Sequence, residues 1–154
     1  MKKTVIIISF LLMAPLVYGQ SYQEEIDLFQ SAFGMDKREV VAGFVETEPE
    51  EEEAFWKLYD EYEPKRKELG KERIVLLMQY ADQYDSMSGA DADSMTKKVI
   101  ALKTKTDKLI ATYYTKIRKA TDGIVATQFF QIESYILGEI RAEILETIPF
   151  VEWD

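Results

Sequence analysis

The sequence predicts an all-α fold, with short N-terminal helices followed by long antiparallel helices. Three observations predict it. Apolar and aromatic residues recur at three- and four-residue steps along most of the chain. Alternating polar and apolar runs of strand length do not occur. Seven Gly and four Pro punctuate 154 residues, so breaks are few and the segments between them are long.

Residues 1–19, MKKTVIIISFLLMAPLVYG, have the pattern of a cleavable secretory signal peptide. Lys2 and Lys3 form a positive start, Val5 to Val17 an apolar run, and Val17 and Gly19 suit the −3 and −1 sites of a cut before Gln20. The run falls short of the ~20 apolar residues that a membrane span needs. Residues 20–154 then read as a single helical domain. Cleavage removes two lysines and no acid, so the net charge of −9 deepens to −11. The short Lys-Lys start points to a bacterial periplasm or the outside.

Ser21 to Phe33 carries Ile26, Phe29 and Phe33 on one stripe, with Ser21 and Glu24 as a capping box and Gly34 as a C-cap. Asp36 to Val45 comes next, with Asp36/Glu39 as a second box and Val40, Val41 and Phe44 as the apolar side. The longest helix runs from Glu50 to about Tyr84. Its stripe is Phe55, Tyr59, Tyr62, Arg66, Leu69, Arg73, Leu76, Tyr80 and Tyr84, and it keeps phase across Pro64 and Gly70. One helix roughly 50 Å long is therefore expected, kinked near Pro64. Thr47/Glu50 fits a capping box at its start, with Pro49 in the first turn.

Asp85 to Asp91 is a turn rich in small and polar residues, in which Ser88 or Asp91 caps the next helix. That helix, from about Asp91 to Ala120, has the stripe Met95, Val99, Leu102, Thr106, Leu109, Tyr113 and Ile117, with lysines on much of the other face. Thr121-Asp122-Gly123 breaks it. Ile124 to Glu146 forms the last helix, with Phe129, Ile132, Ile136, Ile140 and Ile144 in line, and Pro149 stops it.

Composition removes whole classes of chemistry. With no Cys there is no disulfide, zinc ribbon or thiol nucleophile, and with no His there is no imidazole base or His-bound metal. The excess of 28 acids over 19 bases disfavours nucleic acid, whose phosphates need cations. No Gly-rich phosphate loop or nucleophile elbow appears. The expectation is a non-enzymatic protein without a cofactor.

The densest charge run, Glu46 to Glu53, has no ordered ligand pattern and reads as a solvated helix start favoured by the macrodipole. Carboxylate pairs such as Glu133/Glu139 or Asp60/Glu63 suggest acid–base work, but nothing separates them from the other acids. Glu133 lies among apolar residues and so needs a cationic partner, with Arg66 and Arg73 as candidates. The lysine-rich face is expected to balance the Glu-rich long helix across the hairpin.

Three adjacent ring pairs, Phe55-Trp56, Tyr113-Tyr114 and Phe129-Phe130, cannot share one stripe, because neighbouring residues point ~100° apart on a helix. One ring of each pair should face inward and the other form a second surface, which invites a second copy or a partner. Trp56, Tyr59, Tyr62, Tyr114, Phe130, Phe150 and Trp153 are the expected partner-binding residues, and a homodimer is the expected assembly.

The chain resembles the Spy/CpxP-related, or LTxxQ, group of small exported bacterial proteins, and most closely an aromatic-signature branch. The segments that carry the likeness are Phe55-Trp56-Lys57-Leu58-Tyr59-Asp60-Glu61-Tyr62, Arg73 to Leu77, Gln79-Tyr80-Ala81, Phe129 to Glu133, and Ile148-Pro149. The LTxxQ motif itself is altered at Thr47-Glu48-Pro49-Glu50 and at Ala126-Thr127-Gln128. The resemblance implies a bent helical hairpin paired into a cradle-shaped dimer. It also implies ATP-independent chaperoning of non-native exported proteins, or an envelope-stress role in which the protein docks on a membrane sensor or anti-sigma factor.

Overall fold

The computed structural model describes residues 36–151. Among them every regular element is helical. The expected leader 1–19, the expected Ser21–Phe33 helix and Trp153 lie outside the described residues.

Helix α1 spans Lys37–Phe44, α2 Pro49–Gln83, α3 Gly89–Ala120 and α4 Gly123–Thr147, with a 3₁₀ turn at Tyr84–Ser86 between α2 and α3. Local chemistry explains most of the boundaries. The Asp36 carboxylate accepts from the Arg38 N–H and starts α1. Ser88 and Asp91 form a reciprocal capping box at α3. Asp122 accepts from the N–H groups of Ile124 and Val125 at 2.7 and 2.9 Å and starts α4. The start of α2 departs from expectation. The Thr47/Glu50 box does not form, and the N-cap is Glu48, without a side-chain cap. Pro49 holds the residue before it in extended backbone, so Glu48 and not Thr47 becomes the last non-helical position.

Helix α2 runs unbroken through Pro64 and Gly70. Its buried residues are Phe55, Tyr59, Tyr62, Arg66, Gly70 and Ile74. Beyond Arg66 the inner line therefore passes through Gly70 and Ile74, where the sequence stripe had Leu69 and Arg73. Leu69 and Arg73 are half-buried beside that line.

Cross-helix pairs fix the topology. Lys105 reaches Glu72 and Lys65 reaches Tyr113, so α2 and α3 run antiparallel. Arg141 faces Asp107 and the Phe130 ring meets Tyr114, so α3 and α4 do likewise. The Lys105–Glu72 and Lys116–Glu61 pairs supply the charge balance expected across the hairpin. Helices α2 and α4 both pack along α3 and run parallel to each other, with Tyr62 on Phe129 near one end and Tyr80 on Pro149 near the other. The result is a trough with α3 at its base. Helix α1 lies across the α2–α4 seam over the half of the trough nearest the α2 start. Phe55, Tyr59, Tyr62, Tyr113, Ile117, Phe129, Ile132 and Ile136 pack there with Val41 and Val45 into one core.

Candidate functional site

The α1 half of the trough is closed by a buried ionic network. The first residue of α1, Lys37, is 6% exposed. Its ammonium donates to Glu133 Oε1 at 2.5 Å, Glu63 Oε2 at 3.0 Å and the Tyr59 hydroxyl at 3.0 Å. The Tyr62 hydroxyl donates to Glu133 Oε2 at 2.6 Å. Arg66 donates through Nε and Nη2 to the two oxygens of Glu63, each at 3.0 Å. Two cations and two carboxylates thus compensate one another, as burial requires. Burial and the Glu133 charge push the Tyr59 and Tyr62 hydroxyls far above their ordinary range. Burial also pushes Glu63 up, but the Lys37 and Arg66 charges outweigh it and hold its carboxyl below the ordinary value. These groups fasten α1 to α2 and α4. Glu133 is fully buried, so the arrangement clamps helices together and offers no access for a substrate.

Glu133 therefore does have the cationic partner its surroundings demand, but that partner is Lys37. Arg66 joins one step away through Glu63. Tyr59 and Tyr62 also need correction. Both rings are buried and both hydroxyls are engaged, so they belong to the core and present nothing to a partner. The adjacent ring pairs divide between inside and outside. Phe55, Tyr113 and Phe129 are buried, while Trp56 and Tyr114 are half-buried and Phe130 is 46% exposed. The outer rings make separate contacts: the Arg38 guanidinium covers Trp56 at 4.1 Å, and Tyr114 meets Phe130 edge-on. Phe150 lies at the other end of the molecule, highly exposed, its carbonyl accepting from the Tyr84 hydroxyl at 2.9 Å.

Past the N-terminus of α1 the trough is open. It forms an apolar groove of about 430 Å³. Leu76, Leu77 and Tyr80 wall it from α2, Met95, Val99 and Leu102 floor it from α3, and Leu137, Ile144 and Ile148 wall it from α4. Arg73, Lys103 and Arg141 are its basic members. The tail shapes the far end, where the Tyr80 hydroxyl donates to the Pro149 carbonyl at 2.6 Å and Val151 closes the lining. Val99 is in phase with buried Met95 and Leu102, yet it is 51% exposed. An inward stripe residue has no cover there. Ile100 and Leu145 stand beside it, more than half exposed.

Another depression, of about 510 Å³, lies between α2 and α3 and is rimmed by Glu68, Lys71, Glu72, Lys98 and Lys105. Its rim is charged and bridged by the Lys105–Glu72 pair, so it suits water better than an apolar ligand. Among the described residues no group of three or more acidic side chains converges to hold a metal, and no helix is long and apolar enough to cross a membrane.

No protein-family model, curated protein or solved structure matches the chain. The functional reading therefore stands on the groove itself. Sequence reasoning pointed to aromatic doublets and missed the groove, whose signal was aliphatic: Leu76-Leu77, Val99-Ile100 and Ile144-Leu145 are neighbouring pairs that cannot all turn inward.

Proposed function

We propose that this chain is an exported, non-enzymatic docking protein that holds an apolar helical segment of another protein in the α2–α3–α4 groove. The supporting observation is the groove: a long aliphatic channel between parallel walls, with in-phase Val99 left uncovered. A helix laid in such a channel buries an i, i+3, i+4, i+7 stripe. The basic members Arg73, Lys103 and Arg141 favour a segment whose other face is acidic. The exposed Phe150–Val151 tail beside the groove adds a second contact for a folded partner. These features favour a regulatory partner of the envelope, such as a sensor or anti-sigma factor, in keeping with the Spy/CpxP likeness.

Titration calorimetry with a synthetic 16-residue amphipathic helix, Leu on one face and Glu on the other, tests the reading. One saturable site that Leu145→Asp removes is expected, with weaker binding of a Lys-faced peptide. Equal binding by wild type and Leu145→Asp contradicts it. The second reading is a chaperone for non-native proteins, favoured by exposed Ile124, Phe130 and Tyr135 away from the groove. That reading expects equimolar protein to suppress light scattering by reduced lysozyme even when Leu145 is Asp. In either case the expected assembly is a homodimer.

A further inference from the structure

We infer that the groove also takes a single-chain anionic amphiphile, a free fatty acid. Its carboxylate meets Arg73, Lys103 and Arg141, its chain runs towards Val151, and while bound it excludes the helical segment. This goes beyond the docking reading and shares its groove with it.

Three observations point to such a ligand. First, the charge of the groove has one sign. The chain carries 28 acids against 19 bases, yet among the described residues the groove lining holds three cations and no acid. The other depression differs, with Glu68 and Glu72 among its lysines. Lys103 and Arg141 both pair with the carboxylate of Asp107, at Oδ2 at 2.9 Å and at Oδ1 at 3.9 Å. Two cations thus share one anion, and the surplus positive charge favours an anionic group.

Second, the cations stand together. The Lys105–Glu72 and Arg141–Asp107 pairs bring Arg73 of α2, Lys103 of α3 and Arg141 of α4 to about the same height, near the end that adjoins the closed core. From there to Val151 no further charged residue lines the groove. The Thr106 and Tyr80 hydroxyls in the lining donate to the Leu102 and Pro149 carbonyls, so they are engaged within the protein. One charged end and one apolar end match the head and tail of an amphiphile.

Third, the size agrees. The volume of about 430 Å³ lies in the range of pockets that bury a small ligand. Along α3 the lining runs from Lys103 to Ala92, ~16 Å at ~1.5 Å per residue. Extended dodecanoate, built from bonds of ~1.5 Å in zigzag, covers ~14 Å.

Titration calorimetry with sodium dodecanoate below its micellar concentration tests the inference. One saturable site is expected, with decanoate bound roughly tenfold more weakly because it buries two fewer methylenes. Dodecyltrimethylammonium, which has the chain and the opposite charge, should bind more weakly than dodecanoate. Lys103→Gln combined with Arg141→Gln, both at exposed positions, should weaken dodecanoate roughly tenfold. No saturable binding of dodecanoate overturns the inference. So does equal affinity for dodecanoate and the ammonium, or for wild type and the double variant. Dodecanoate should also displace the Leu/Glu peptide, and both bound at once overturns the shared groove. Peptide bound without any binding of dodecanoate overturns the fatty-acid site and leaves the docking site standing. Dodecanoate bound at one site, with no peptide bound by the ligand-free protein, supports the fatty-acid site and overturns the docking reading.

Discussion

At the scale of single residues, the buried quartet of Lys37, Glu63, Arg66 and Glu133 sets the balance between stability and cost. Each charge has a partner, and removing Lys37 takes from buried Glu133 the cation it pairs with, while removing Glu133 leaves Lys37 with Glu63 alone. Lys37→Met or Glu133→Gln should each lower unfolding free energy by about 3 kcal/mol in urea titrations. The double variant should lose less than the two single losses together, since residues in one network are not additive. Equal and additive losses would mean the pair is not coupled. The pH dependence comes from the shifted groups. Glu63 is held below its ordinary 4.5, so its contribution is complete above pH 4.5 and is lost as pH falls through the lower folded value. Tyr59 and Tyr62 are held above their ordinary 10.0. In the unfolded chain they ionise near that value, so their contribution is complete below pH 10 and is lost as pH climbs beyond it. Denaturant midpoints measured from pH 3 to 11 should fall at both ends, and Glu63→Gln should flatten the acid limb. Half of this network was legible in the sequence. Glu133 sits between apolar neighbours and had to be paired, but Lys37 stands beside Arg38 at a helix start and looks like any surface lysine. Only the placement of α1 across the α2–α4 seam brings it within reach.

At the scale of elements, the helices match the sequence closely because their caps are local. Asp36, Ser88 and Asp122 bond within three residues, and such bonds need no tertiary context. Ser88→Ala should therefore cost about 1 kcal/mol, read from the thermal midpoint. Gly138 lies within α4 with nothing near an added Cβ. Gly138→Ala should add about 0.5–1 kcal/mol by removing backbone freedom from the unfolded chain, and no change would argue against a well-formed α4 at that position. The sequence was less informative about the lower half of α2. The inner line passes through Gly70 and Ile74, and Leu69 and Arg73 are half-buried beside it. The displaced Leu76 and Leu77 become groove wall.

At the scale of the whole molecule, two halves of one trough differ in what fills them. The half beneath α1 is a closed core of rings and aliphatics, and the half beyond Lys37 leaves Val99 on its floor exposed. Two of the aromatics expected at a binding surface, Tyr59 and Tyr62, lie in that core, since the largest rings are also the best core filler. Helical periodicity reports which residues share a face and not whether that face is covered. Val99 shows the difference, in phase with the core yet exposed.

Photo-crosslinking tests the central claim, that the groove receives an apolar segment. A photoreactive phenylalanine analogue placed at Leu145, and separately at exposed Glu39 on α1, is irradiated with the amphipathic Leu/Glu peptide. Covalent adducts at position 145 and none at 39 are the predicted result. Equal yields at the two positions, or none at 145, would contradict it.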